Sequence, residues 1–171
     1  LKVHSQYSIC EGAVKIDDLK ELSKENKFKS IGLCDTSNLC GALEFAEKLS
    51  KSGTQPIIGT QINFKHDDTT GLLPLFALNE TGYKRIIELS SLSFLTNDEL
   101  NDPHLNIGEL FKKCDGVCLF SGSIFGLIGK LFDKGKFSEI TELYSKFKSI
   151  YEDRFYTVSY THLTLPTNTV V

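Results

Sequence analysis

At 171 residues, with 40% hydrophobic and 24% charged side chains, the chain has the composition of a globular protein with room for one well-filled core. Its net charge of −3 offers no general electrostatic grip on a nucleic-acid backbone, and the lysines are scattered rather than clustered. No apolar run reaches the ~20 residues of a membrane span, and the five cysteines are irregularly spaced, as expected of reduced thiols in a cytoplasmic protein.

Residues 1–3 read as the start of a strand, as though the chain were a fragment beginning inside a domain, and a turn-rich stretch follows to Gly12. Ile16, Leu19 and Leu22 lie at helical spacing, with charges on the opposite face, which predicts a helix over 17–26. Residues 30–34 form a short apolar strand ending at Asp35. Asn38 is placed to cap a helix over 39–52, with Ala42, Phe45, Ala46 and Leu49 inward and Gly53 at its end. A strand over 56–64, a polar turn over 65–71 and a second strand over 72–78 follow, the last weakened by Pro74. Tyr83, Ile86, Ile87 and Ser90 mark a helical stripe after Asn79, and 93–106 has no regular period. A short helix over 107–113, a strand over 116–120, a long amphipathic helix through Phe137, Ile140, Tyr144, Phe147 and Tyr151, and a last strand over 154–158 complete the pattern. Repeated strand–helix–strand units of ~30 residues predict an α/β fold with a parallel sheet, as a barrel or a doubly wound sheet. Chemistry in such folds collects at the carboxyl ends of strands, where His4, Asp35 and Gln61 all fall.

Several chemistries are excluded by spacing. No glycine-rich phosphate loop is present, and Gly122-Ser123-Ile124-Phe125-Gly126 lacks the spacing of a nucleophile elbow and reads as a turn at a strand end. Cys114 and Cys118 have no second ligand pair to make a zinc site. His66 and His104 lie beside Asp67, Asp68 and Asp102 in polar stretches and read as solvated.

Five blocks carry a resemblance: Val3-His4-Ser5-Gln6-Tyr7-Ser8; residues 34–45, beginning Cys34-Asp35-Thr36; Gln55-Pro56-Ile57-Ile58-Gly59-Thr60-Gln61; Ala77-Leu78-Asn79-Glu80-Thr81-Gly82-Tyr83; and residues 116–123. In this order and spacing they resemble the polymerase-and-histidinol-phosphatase (PHP) domain at the N-terminus of bacterial DNA polymerase III α subunits, over roughly residues 1–157. The resemblance implies a distorted (β/α)7 TIM-like barrel, incomplete here. In metal-binding members it implies a mouth where His, Asp, Glu and Cys hold up to three divalent ions that activate water for phosphoester hydrolysis.

This chain departs from that pattern. Where the family has His-x-His it has Lys2-Val3-His4; where Asp-His is expected it has Asp35-Thr36; Gln61 replaces a glutamate, Leu72 falls near an expected histidine, and Ser123 replaces a cysteine. Lys2, His4, Asp35, Thr36, Gln61, Leu72 and Ser123 are therefore positions of a degenerate metal site, with His4 and Asp35 the surviving ligand types. No catalytic residue and no bound metal or other cofactor is expected in this chain. An ammonium at position 2 repels cations, a glutamine carries no charge to compensate them, and a leucine has no lone pair to donate. Lys2 is expected to pair with Asp35 in place of the lost ions, and His4 and Asp35 to form a hydrogen-bonded pair between strand ends.

The resemblance further implies a parent DNA-directed DNA polymerase, a nucleotidyltransferase using Mg2+ in a palm domain outside this chain. In that setting the PHP domain would support the polymerase core and bind the proofreading exonuclease subunit, with DNA contacted through the parent and no membrane involved. The alternatives are a phosphoesterase or 3′–5′ exonuclease still active at this site, and a free-standing histidinol-phosphatase-like enzyme. Residues 158–171 lack Lys, Arg, Asp and Glu and are rich in threonine, and they read as an extended tail foreign to the domain.

Overall fold

The computed structural model describes residues 2–97, 102–112 and 114–157. Twelve elements follow one another: β1 (Lys2–Val3), α1 (Ile16–Glu25), β2 (Ser30–Thr36), α2 (Ala42–Lys51), β3 (Gln55–His66), β4 (Thr69–Ala77), α3 (Glu80–Leu95), β5 (Leu105–Asn106), β6 (Val117–Phe120), α4 (Leu127–Asp133), α5 (Phe137–Tyr151) and β7 (Phe155–Tyr156). Short 3₁₀ turns occupy Ile107–Phe111 and Glu152–Arg154. The foreign-tail reading of 158–171 falls outside the described residues.

The strands form one seven-stranded sheet, ordered β1-β2-β3-β4-β6-β7, with β5 paired to the far end of β3. It is mixed rather than wholly parallel. β1, β2 and β3 run parallel and β7 is parallel to β6, but β4 lies antiparallel to both β3 and β6. The cause is local. The polar segment expected as a seven-residue turn is mostly strand, so β3 and β4 pair from Gly59↔Phe76 out to His66↔Thr69, and only Asp67 and Asp68 turn the corner. A two-residue connection can join only antiparallel neighbours. Pro74 is tolerated because the β4–β6 ladder begins at Leu75, so β4 is an edge on that side at Pro74.

Residues of β1, β2, β3, β4 and β6, including Lys2, Gly32, Ile57, Phe76 and Phe120, line a single concave cavity, so the sheet curls as part of a barrel wall. Helices pack on its convex side. Ile62, Phe64, Leu73 and Leu75 meet Ile86 and Leu89 of α3, Leu127 and Leu131 of α4, and Leu143 and Phe147 of α5 in the main core. Ile31 and Leu33 meet Ile16, Leu19, Phe45 and Leu49 in a second.

Helix registers differ from the sequence reading where capping and tertiary packing compete with periodicity. Leu22 is exposed and Ser23 is buried on α1; on α3, Ile86 and Leu89 are buried while Ile87 is exposed. Asn38 does not cap α2. Its side chain donates to the Tyr7 and Thr36 carbonyls and accepts from the Cys40 amide, which delays the helix to Ala42. Asn79 does cap α3, accepting from the Gly82 amide at 2.9 Å. Helix α4 and strand β5 are absent from the sequence reading, since neither is long enough to show a period.

Candidate functional site

The carboxyl end of β1 and the middle of β3 open onto a cavity of about 210 Å³ lined by Lys2, His4, Glu11, Gln61, Leu72, Pro74, Gly122, Ser123, Phe125 and Gly126. Five of the seven positions singled out in the sequence meet there. Asp35 and Thr36, the last two residues of β2, lie outside that lining and bond to its neighbours. The register explains the meeting: Val3 pairs with Leu33 and Thr36 with Gln61, so β1 and β2 end beside the middle of the longer β3.

Two hydrogen-bond systems organise the site. In the first, the Lys2 ammonium donates to Gln61 Oε1, Gln61 Nε2 donates to Thr36 Oγ1 at 2.7 Å, and Thr36 Oγ1 donates to Glu11 Oε2. A cation and an anion thus sit at the two ends of a chain of neutral polar groups. In the second, buried Asp35 accepts from the Ser5 amide at 2.7 Å, the Ser5 hydroxyl at 2.7 Å and the Ser8 hydroxyl at 2.8 Å. Ser8 Oγ also accepts from the Thr36 amide at 3.1 Å and lies 3.4 Å from His4 Nδ1.

These bonds correct two expectations. Lys2 pairs with Gln61, not with Asp35, whose oxygens are taken by serines from the loop after β1. His4 and Asp35 do not bond directly, and Ser8 stands between them. Leu72 presents an apolar wall, and Ser123 Oγ accepts the Phe125 amide at 3.2 Å within a turn, as its glycine-flanked position suggested.

Glu11 is the cavity residue the sequence reading missed. Its carboxylate is 3.8 Å from His4 Nδ1 and lines the same cavity. The clue available was its place in Cys10-Glu11-Gly12, the end of the turn after β1. Cys10 there holds a φ of 65°, and a Cβ at Gly12 would sit 2.2 Å from the Ser5 carbonyl oxygen, so the loop folds back tightly on itself.

The His4 imidazole is held below its ordinary 6.5 by burial first and by the Lys2 charge second, against the opposing pull of Glu11 and Asp35. Behind the site, burial pushes the Cys34 thiol up to about 12 and the Cys118 thiol to about 11, so neither offers a thiolate ligand at neutral pH. His66 and His104 are remote from this group. His66 ends β3 and lies 3.5 Å from Glu139, rather than standing free in solvent, and His104 Nδ1 meets the Asp102 carbonyl.

The residues present do not fit a cluster of several divalent ions. Asp35 has its oxygens engaged by three donors, Lys2 places a fixed positive charge at the mouth, and His4 with Glu11 remain as a pair of accessible donors.

Comparison with known proteins places the chain. It is 35% identical over 164 residues to the DNA polymerase III subunit alpha of Caulobacter vibrioides, a match covering 91% of this chain and 14% of that protein. The corresponding subunits of Rickettsia felis (36% over 157 residues, 91% and 13%) and Borreliella burgdorferi (34% over 167 residues, 91% and 14%) are similar in the same way. The chain therefore spans about a seventh of the length of these relatives. A crystal structure described as a candidate metal-dependent phosphoesterase, from Bifidobacterium adolescentis, superimposes with a TM-score of 0.41 at 12% identity, over 92% of this chain and 57% of that one. The family model of the PHP domain matches residues 1–158, all but the threonine-rich end, and the chain belongs to the PHP domain family.

Proposed function

We propose that this chain is the PHP domain of a cytoplasmic replicative DNA polymerase of the III alpha type, and that the domain itself is a non-hydrolytic support. The observation that carries the second part is Lys2. Its ammonium occupies the mouth and donates to Gln61, so the chain itself supplies positive charge there. The relatives' shared name supports the first part. On this reading the parent chain is a DNA-directed DNA polymerase, a nucleotidyltransferase that uses Mg2+ at carboxylates outside this domain. The PHP domain supports the polymerase core and binds the proofreading exonuclease subunit. The assignment of that partner rests on the resemblance.

The test is hydrolysis of a generic phosphate monoester and of 3′-labelled single-stranded DNA with Mn2+ or Zn2+ supplied. No turnover above buffer is expected, and turnover abolished by His4→Gln would overturn the non-hydrolytic reading. One feature favours a second reading, a single retained ion between His4 Nδ1 and Glu11 Oε2, which face each other at 3.8 Å. Activity lost equally in His4→Gln and Glu11→Gln would decide for it.

A further inference from the structure

The tip of the β3–β4 hairpin carries a second group of ligand-type side chains, well away from the mouth. His66 lies five residues beyond Gln61 on β3, about 16 Å along an extended strand. His66, Asp67 and Glu139 each offer one donor atom, and the three atoms lie within 4.8 Å of one another. We propose that these residues form a site for one divalent transition-metal ion, zinc above others, that fastens the hairpin to helix α5.

The donor set has the right chemistry. One neutral imidazole and two carboxylates balance a dication, and three protein ligands plus water complete the tetrahedral coordination zinc prefers. The mouth, by contrast, has exchanged its donors for an ammonium and an amide. The scaffold is firm on both sides. His66 is held by its pairing with Thr69 at the close of the hairpin, and Glu139 sits in the first turn of the fifteen-residue α5. His66 Nε2 is already 3.5 Å from Glu139 Oε2. Asp67 is the exposed member, so its side chain is the one that can adjust to bring three donor atoms already within 4.8 Å of one another around a single ion.

The surrounding charges define what binding must displace. Lys136 lies 3.2 Å from Glu139 Oε1 and 2.7 Å from Asp68 Oδ1, and Lys134 lies 3.4 Å from Asp68 Oδ2. An ion at Glu139 releases Lys136 from that carboxylate while leaving it paired with Asp68. Asp68 is thereby kept from serving as a fourth ligand. Glu142, one turn further along α5, adds negative charge toward His66.

The test is calorimetric titration of the full chain with Zn2+ at pH 7.5, repeated on Asp67→Asn, His66→Gln, Glu139→Gln and His4→Gln. The expected result is one equivalent bound, affinity falling about tenfold or more in each of the first three variants and unchanged in His4→Gln, with a zinc-dependent rise in Tm in the wild type that His66→Gln abolishes. Unchanged affinity in Asp67→Asn, an exposed turn substitution that leaves the core intact, overturns the proposal. So does loss of binding in His4→Gln, which would place the ion at the mouth.

Discussion

Asp35 shows most directly how a carboxylate beside the mouth is built into the structure. It is 1% exposed and its carboxylate accepts three hydrogen bonds, each from a serine of the loop that follows β1. A buried charge is tolerated only when so compensated. Asp35→Ala leaves the Ser5 and Ser8 donors without an acceptor, and we expect it to cost about 3 kcal/mol, measured by urea denaturation. Lys2→Ala frees only the amide oxygen of Gln61 at a partly exposed site and is expected to cost less than 1 kcal/mol. His4 gives a pH signature. Its folded pKa lies below the unfolded value near 6.5, so the unfolded chain binds more protons between the two, and stability falls as pH drops through that window. The decrease in Tm from pH 7.5 to 5.5 should therefore be smaller in His4→Gln than in the wild type.

At the level of elements, the mouth depends on how the long strands are joined. The β3–β4 hairpin turns antiparallel at Asp67-Asp68 and carries Gln61 and Leu72 to the same cavity, and the loop between β1 and α1 folds Ser5, Ser8 and Glu11 back over β2. The contact between α3 and the turn before β6 is close enough to be tested by one methyl group. A Cβ at Gly82 would come 1.8 Å from the Gly116 carbonyl oxygen, a backbone atom that cannot move aside alone. Gly82→Ala is expected to destabilise the fold by about 2–3 kcal/mol despite alanine's better helix propensity, read from the urea midpoint. Helix positions were legible in the sequence wherever the apolar period was long, as in α1, α3 and α5. Their exact faces were not, because Leu22 and Ile87 fit a helical stripe as well as the buried Ser23 and Leu89 do.

Across the whole molecule, the curled sheet grades the thiols by exposure. Cys10 and Cys40 are exposed in the loops around the mouth and Cys114 is half-buried, whereas Cys34 and Cys118 are buried with Phe76, with Cys118 and Phe76 on the concave face. Burial also raises the thiol pKa of the buried pair. Cys10 and Cys40 should react rapidly with an aromatic disulfide reagent at pH 8, half-buried Cys114 and the cavity-lining Cys118 more slowly, and Cys34 only at the rate of unfolding. Rapid modification of Cys34 would show that the sheet opens readily.

Taken alone, the sequence determined the α/β class, most element positions, the family resemblance and the set of positions at the mouth, because apolar period and local motifs are properties of short stretches. It also placed an ammonium, an amide and an aliphatic side chain at the mouth, Lys2, Gln61 and Leu72, whose chemistry is the same whatever their exact neighbours. Only the tertiary structure decided the direction of β4, the pairing of Lys2 with Gln61 rather than Asp35, the arrival of Glu11 beside His4, and the gathering of His66, Asp67 and Glu139. Each of these depends on which residues distant in the chain are brought together, and that is set by strand register and by competition among donors and acceptors in the folded protein.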